Sequence, residues 1–235
     1  LSFFANALNS RTSGIDAVAN YKNISLGRST LGFSLAGNYT LKNERVGDVK
    51  NFQILIDANN MDTIPTNDQS IVNATQEALM FTSRPKFKAM FGINYDIGKF
   101  SFTIGNTVFG PTRFRNNDRK GPKNGPISED LEVVFKTKVV TDLGISFRMS
   151  EKTTIALNIN NLLNVVPEWE FLALNPAGEQ LLANTTPDPN YFDLLPIEVQ
   201  SNLITFNQRY SMMTYDGYHF SQLGTIINLA VNVKL

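Results

Sequence analysis

Cysteine is absent from this chain, and histidine and tryptophan occur once each. No apolar run approaches the roughly 18 residues that a membrane-spanning helix needs. Without cysteine there is no disulfide, no thiolate metal site and no thiol nucleophile. With one histidine, no His-rich metal centre is expected, and neither metal nor cofactor is assigned. Charge is scarce at 18% and balanced, 21 basic against 21 acidic residues. That pattern argues against nucleic acid as a partner and against electrostatic attachment to a membrane surface. No nucleophile–base pair and no phosphate-cradling glycine loop is present, so no enzyme is expected and no catalytic residue is assigned. No leader opens the chain, which starts Leu1-Ser2-Phe3-Phe4 as if at the end of a strand. The expectation is a removed leader or a piece of a longer chain.

What is abundant is alternation. In residues 223–235, Leu223, Thr225, Ile227, Leu229, Val231, Val233 and Leu235 share one parity, and Gly224, Asn228, Ala230, Asn232 and Lys234 the other. Successive side chains of a strand point to opposite faces, so this segment has one apolar and one small or polar face. Six more segments repeat the pattern: 14–24, 30–42, 86–97, 99–109, 133–148 and 153–163. Residues 1–4 read as the end of an eighth strand, which would permit a small closed barrel. In the fourth segment Asn106 interrupts an apolar face of Phe102, Ile104 and Val108. Strands of soluble β-sandwiches or lipocalin-like barrels average about 5–6 residues, and these are twice as long. Short connections (25–29, Gly98, 149–152) alternate with long ones (43–85, 110–132, 165–218). Short turns on one side and long loops on the other mark an outer-membrane barrel, as does an aromatic content of 11%. The fold class expected is all-β, a transmembrane antiparallel β-barrel.

Three segments carry a resemblance to TonB-dependent outer-membrane receptors. Asn6, Arg11 and Gly14-Ile15-Asp16 resemble their "N…R…G-(I/V)-(D/E)" hairpin. Asn161-Leu162-Leu163-Asn164 followed by Pro167, within the run 158–169, is similar to their penultimate-strand signature. The terminal alternating strand also looks like theirs, although they usually end in an aromatic and this chain ends in Leu235. The resemblance implies that residues 1–235 are a partial barrel domain, about seven C-terminal strands of a 22-stranded type, without the plug. It implies a bacterial outer-membrane receptor that takes up a ferric siderophore or other scarce nutrient. The TonB complex would supply energy through the missing N-terminal part. Alternatives are a glycan or peptide importer paired with a surface lipoprotein, and a small passive porin or structural barrel.

Within that frame, residues 113–123 hold five basic side chains and one acid. Arg113, Arg115, Arg119 and Lys120 are candidate contacts for an anionic ligand or for lipopolysaccharide phosphates; a solvated loop is the alternative. The last long loop offers Trp169, Tyr210 and Tyr215 as stacking surfaces, or as groups that pack the loop on itself. A short helix is expected within 190–209, from Phe192, Leu195, Val199, Leu203 and Phe206. Asp16, Lys22, Lys88, Asp96, Lys136, Lys138, Asp142 and Arg148 are expected to face the lumen. Tyr21, Tyr39, Tyr95 and Phe147 are expected on the lipid face or in its girdles.

Overall fold

A computed structural model describes residues 8–47, 74–115, 128, 130–205, 220–221 and 223–234. Seven strands form one antiparallel sheet: β1 (Asn9–Leu26), β2 (Ser29–Val46), β3 (Phe87–Ile97), β4 (Phe100–Phe109), β7 (Lys138–Arg148), β8 (Thr153–Asn160) and β10 (Ile226–Val233). They lie side by side in chain order. Three short strands, β5 (Thr112–Phe114), β6 (Leu131–Phe135) and β9 (Trp169–Ala173), make a second sheet in the order β5-β6-β9. Helices α1 (Ala74–Phe81), α2 (Pro176–Ala183) and α3 (Pro196–Thr205) lie in the long connections. The partial strand expected at residues 1–4 lies outside the described residues.

The register turns the alternation of single strands into continuous rows. Tyr21, Phe33, Ile93, Ile104, Leu143, Ile159 and Ile227 are successive partners across all seven strands. The adjacent row, on the other face, reads Gly32, Asn94, Thr103, Gly144, Asn158 and Asn228. Leu35 is 52% exposed and Leu229 71%, so the apolar face is covered by no part of the described chain. Leaving a large aliphatic side chain in water forfeits about 1.5–3 kcal/mol, so a whole face of them requires an apolar medium. This is the wall of a transmembrane barrel, one face to lipid and the other to a polar interior.

Local chemistry sets the details. The β3–β4 turn reverses at Gly98, whose φ of 59° suits glycine. Aromatic rings cluster near that end: Phe100 lies 4.7 Å from Phe147 and 6.1 Å from Phe102, with Tyr95 in the same patch. Asn106, the polar interruption, faces Thr141 of β7, whose Oγ1 donates to Asn106 Oδ1 at 2.7 Å. The two polar side chains on the apolar face are thus hydrogen-bonded to each other.

Two bulges reset parity in the first hairpin. One places an extra residue in β1 between Tyr21 and Ile24, where Asn23 has φ 62°. The other places Leu41 extra in β2, so Thr12 and Ser10 pair with Asn43 and Arg45. Beyond Leu41 it is Asn43 and Arg45 that share the polar face with Thr12. Residues 40–46 of β2 run past its last pair with β3, Tyr39 with Phe87, and carry the hairpin beyond the wall.

The expected fifth strand, 133–148, is a correction. Its first part belongs to the small sheet and only 138–148 belongs to the wall. Leu131, Val133 and Phe135 are fully buried, and with Phe114 and Ala78 they form the core of the described molecule. Lys136 therefore sits in the link between β6 and β7, outside the wall strands.

Candidate functional site

The small sheet stands at the end of the wall where the long connections emerge, since β4 and β8 lead into it and β7 leaves it. Its floor is the Phe114, Val133 and Phe135 cluster. Trp169 and Phe171 pack against it, their rings edge to face at 5.4 Å. Trp169 is thus partly buried in the base of this cap. Asn175 caps α2, its Oδ1 accepting from Gly178 N at 3.0 Å, and Pro176 starts the helix. Gly178 approaches so closely that a Cβ there would meet the Asp130 carbonyl oxygen, which fixes α2 against the sheet.

Two charge clusters hold the cap. Glu132 is 4% exposed, and Arg113 donates to it at 2.6 Å; Arg115 Nε stands 3.9 Å from its other oxygen. Both candidate arginines thus turn toward one buried carboxylate. A guanidinium has five donors, and both side chains stay more than 40% exposed, so donors remain for a ligand. In the second cluster, Lys136 bridges Glu168 at 2.9 Å and Glu170 at 3.0 Å, while Lys138 reaches Glu168 at 2.5 Å. Hydrogen bonds from Lys138 and then Lys136 hold the Glu168 carboxyl down at about 2. The bonds to Glu168 and Glu170 raise the Lys136 ammonium.

A carboxyl lowered on folding stabilises the cap above its unfolded value and ceases to do so as pH falls through the folded one. The urea midpoint of cap unfolding should therefore differ between wild type and Glu168→Gln by a constant amount above pH about 4.5. The difference should shrink between there and about 2. A difference that is unchanged down to pH 2 would show that the lysine bonds contribute nothing.

The signature Asn161-Leu162-Leu163-Asn164 builds a clasp at the same end of β8. Asn161 is 6% exposed with φ 55°, which stops the strand. Its N–H donates to Asp142 Oδ1 at 2.7 Å; its side chain accepts from Val165 N at 2.8 Å and donates to Val165 O at 2.6 Å. Thr225, at the entrance to β10, donates its N–H to Asn164 Oδ1 at 3.2 Å and its hydroxyl to Asn161 O at 2.7 Å. Asp142, expected as a plain lumen charge, is thereby a capping acceptor.

Beside the cap, under α1, lies a recess of about 900 Å³ lined by Thr12, Asn38, Thr40, Lys42, Arg84, Lys86, Lys88, Phe81 and Phe109, among others. Of its cations only Lys88 is among the lumen charges expected from sequence. The sequence signal for Arg84 and Lys86 is the basic run Arg84-Pro85-Lys86-Phe87-Lys88 at the entrance to β3.

Arg119, Lys120, Tyr210 and Tyr215 lie outside the described residues. The expected helix in 190–209 is present as α3, but Phe192 precedes it in a left-handed turn, φ 59° and 89% exposed. Among the described residues no group of His, Cys, Asp or Glu is placed to hold a metal ion, and no helix is long and apolar enough to cross a membrane.

No curated protein and no solved structure is found to match the chain. A family model does: TonB dependent receptor-like, beta-barrel, over residues 2–162.

Proposed function

Since the chain belongs to the TonB-dependent receptor-like β-barrel family, a family of outer-membrane transport receptors rather than enzymes, we propose that it takes up a scarce nutrient, such as a ferric siderophore, with energy delivered through TonB. The observation that carries this reading is the family match laid over a wall whose apolar row crosses all seven strands and whose polar row crosses six. In it the seven strands complete a wider barrel with others, since among the described residues the sheet is open, with β1 and β10 at its edges. The small sheet is the outer face of the receptor. Arg113, Arg115 and Trp169 meet ligand there, together with Arg119, Lys120, Tyr210 and Tyr215 of the neighbouring loops. The TonB complex acts on the parts that fill the lumen, and lipid and lipopolysaccharide surround the apolar face.

The test is accumulation of radiolabelled ferric siderophores and of oligosaccharides by cells with and without the intact protein. It is repeated after collapse of the inner-membrane proton gradient. The expected result is accumulation of a ferric siderophore that needs both the protein and the gradient. Accumulation that survives collapse of the gradient would contradict energised uptake and indicate a passive pore. Protein-dependent, gradient-driven accumulation of oligosaccharide alone would replace the siderophore with a glycan.

A further inference from the structure

Between α2 and α3 an aromatic side chain is held out in water. Phe192 is 89% exposed, more than any other large hydrophobic side chain among the described residues, and it makes no ring contact with them. Its backbone is left-handed, φ 59°, and so is that of Asp193, φ 57°. A bulky residue is rarely left-handed, because its Cβ crowds the following carbonyl oxygen. Neither the exposed ring nor the strained backbone helps the fold, so the surroundings must impose both.

The turn that imposes them is built around Asp188. Its Oδ1 accepts from Asn190 N at 2.9 Å and from Asn190 Nδ2 at 3.1 Å. Its carbonyl oxygen accepts from Tyr191 N at 2.9 Å and from Asp193 N at 3.1 Å, and its N–H donates to Leu194 O at 2.9 Å. Pro187 and Pro189 fix the backbone on either side of it. Tyr191, 46% exposed, stands next to Phe192. The two rings thus project from a turn whose shape is set in advance, and an anchor presented in that way loses little freedom on docking.

Charge says what the rings dock on. Residues 171–208 contain Glu179, Asp188, Asp193 and Glu198 and no lysine or arginine. Asp188 and Asp193 flank the two rings and form no ion pair among the described residues. Such a rim repels the phosphates of a lipopolysaccharide surface. Cations around an apolar pocket complement it.

We propose that Tyr191 and Phe192 form a docking knob for another protein and enter an apolar pocket rimmed by lysine or arginine. Phe192 is the anchor that becomes buried, as aromatic side chains are at interface centres, and Asp188 and Asp193 are the charged rim. The inference goes beyond nutrient uptake and does not depend on which ligand is carried.

The test is photo-crosslinking in intact cells that make the full-length protein with p-benzoyl-L-phenylalanine in place of Phe192. The expected result is one discrete protein adduct, whose linked peptide, identified by mass spectrometry, is apolar and flanked by lysine or arginine. The same label in place of Val231, on the apolar face of β10, should give no such adduct. Asp188→Asn/Asp193→Asn keeps an acceptor for Asn190 N and removes both charges, and it should reduce the adduct. With the label moved to Tyr191, Phe192→Asn should lower the yield about tenfold. The urea midpoint of Phe192→Asn should be no lower than that of wild type, since asparagine tolerates the left-handed backbone. No adduct, an adduct with lipopolysaccharide or with a second copy of this chain, or an adduct indifferent to these substitutions would overturn the proposal. So would a lower urea midpoint for Phe192→Asn, which would make the ring a structural one. None of these outcomes reads uptake, which stands or falls on the accumulation experiment alone.

Discussion

Ile104→Lys is expected to destabilise the barrel in a lipid bilayer by about 2–4 kcal/mol, whereas Thr103→Lys, one residue earlier, is expected to cost about 1 kcal/mol or less. Ile104 sits midway along β4, in the apolar row between Ile93 and Leu143. An ammonium there meets hydrocarbon near the bilayer centre, where the penalty for lysine on a lipid face is greatest. Thr103 belongs to the polar row and donates to Asn94 Oδ1 at 3.0 Å, so its replacement forfeits one exposed hydrogen bond while the new charge stays in water. Urea unfolding of the protein refolded into bilayers reads both. Equal costs would mean that the two faces see the same medium.

Asn161→Ala is expected to cost about 2–4 kcal/mol, because three separate losses fall on one residue. The Val165 N–H and C=O lose their partners where Asn161 is 6% exposed, at about 1–3 kcal/mol for each unsatisfied buried group at most. The φ of 55° is tolerated by asparagine and disfavoured for alanine. The Asn161 backbone oxygen, which anchors the Thr225 hydroxyl, also becomes less well placed, so the entrance to β10 loosens. Asn161→Gly keeps the backbone conformation and should recover part of the loss. Asn161→Asp keeps the acceptor for Val165 N but loses the donor to Val165 O. It also sets a second carboxylate near Asp142, whose Oδ1 caps the Asn161 N–H. The heat-modified gel shift, which reports barrel closure, should move to lower temperature in the order Gly, Asp, Ala. An alanine variant as stable as wild type would show that the clasp is ornamental to the barrel.

The wall was legible because it is repetitive: a strand between lipid and water alternates, and seven strands do so over most of their length, with parity reset at the two bulges of the first hairpin. Even the odd residue Asn106 proved consistent, since its partner Thr141 is polar too. The cap was not legible for the opposite reason. Its strands are three and five residues long, Leu131 to Phe135 are apolar on both sides apart from Glu132, and β6 pairs with a segment more than thirty residues away. A short buried run next to a true wall strand reads as its continuation, and Thr137, at what would be an apolar position, was the remaining sign of a break. For α2 a signal existed in Asn175-Pro176, an N-cap followed by proline at the first helical position. Among the candidate ligand contacts, charge and aromaticity marked Arg113, Arg115 and Trp169. The pairing of the two arginines with Glu132 and the packing of Trp169 on the cap core depend on β5, β6 and β9 coming together, which local sequence does not encode.

The central claim is that the two faces of the seven-stranded sheet meet different media. The chain has no cysteine, so a single introduced cysteine can be spin-labelled without a background. The measurement is electron paramagnetic resonance along β4, labelling residues 100–109 one at a time in bilayers, with oxygen and a water-soluble nickel complex as competing relaxants. The account predicts a period of two: oxygen collisions dominate at Phe102, Ile104 and Val108, and nickel collisions at Ser101, Thr103, Gly105 and Thr107. Accessibility to the nickel complex at every position, or a profile without alternation, would contradict it.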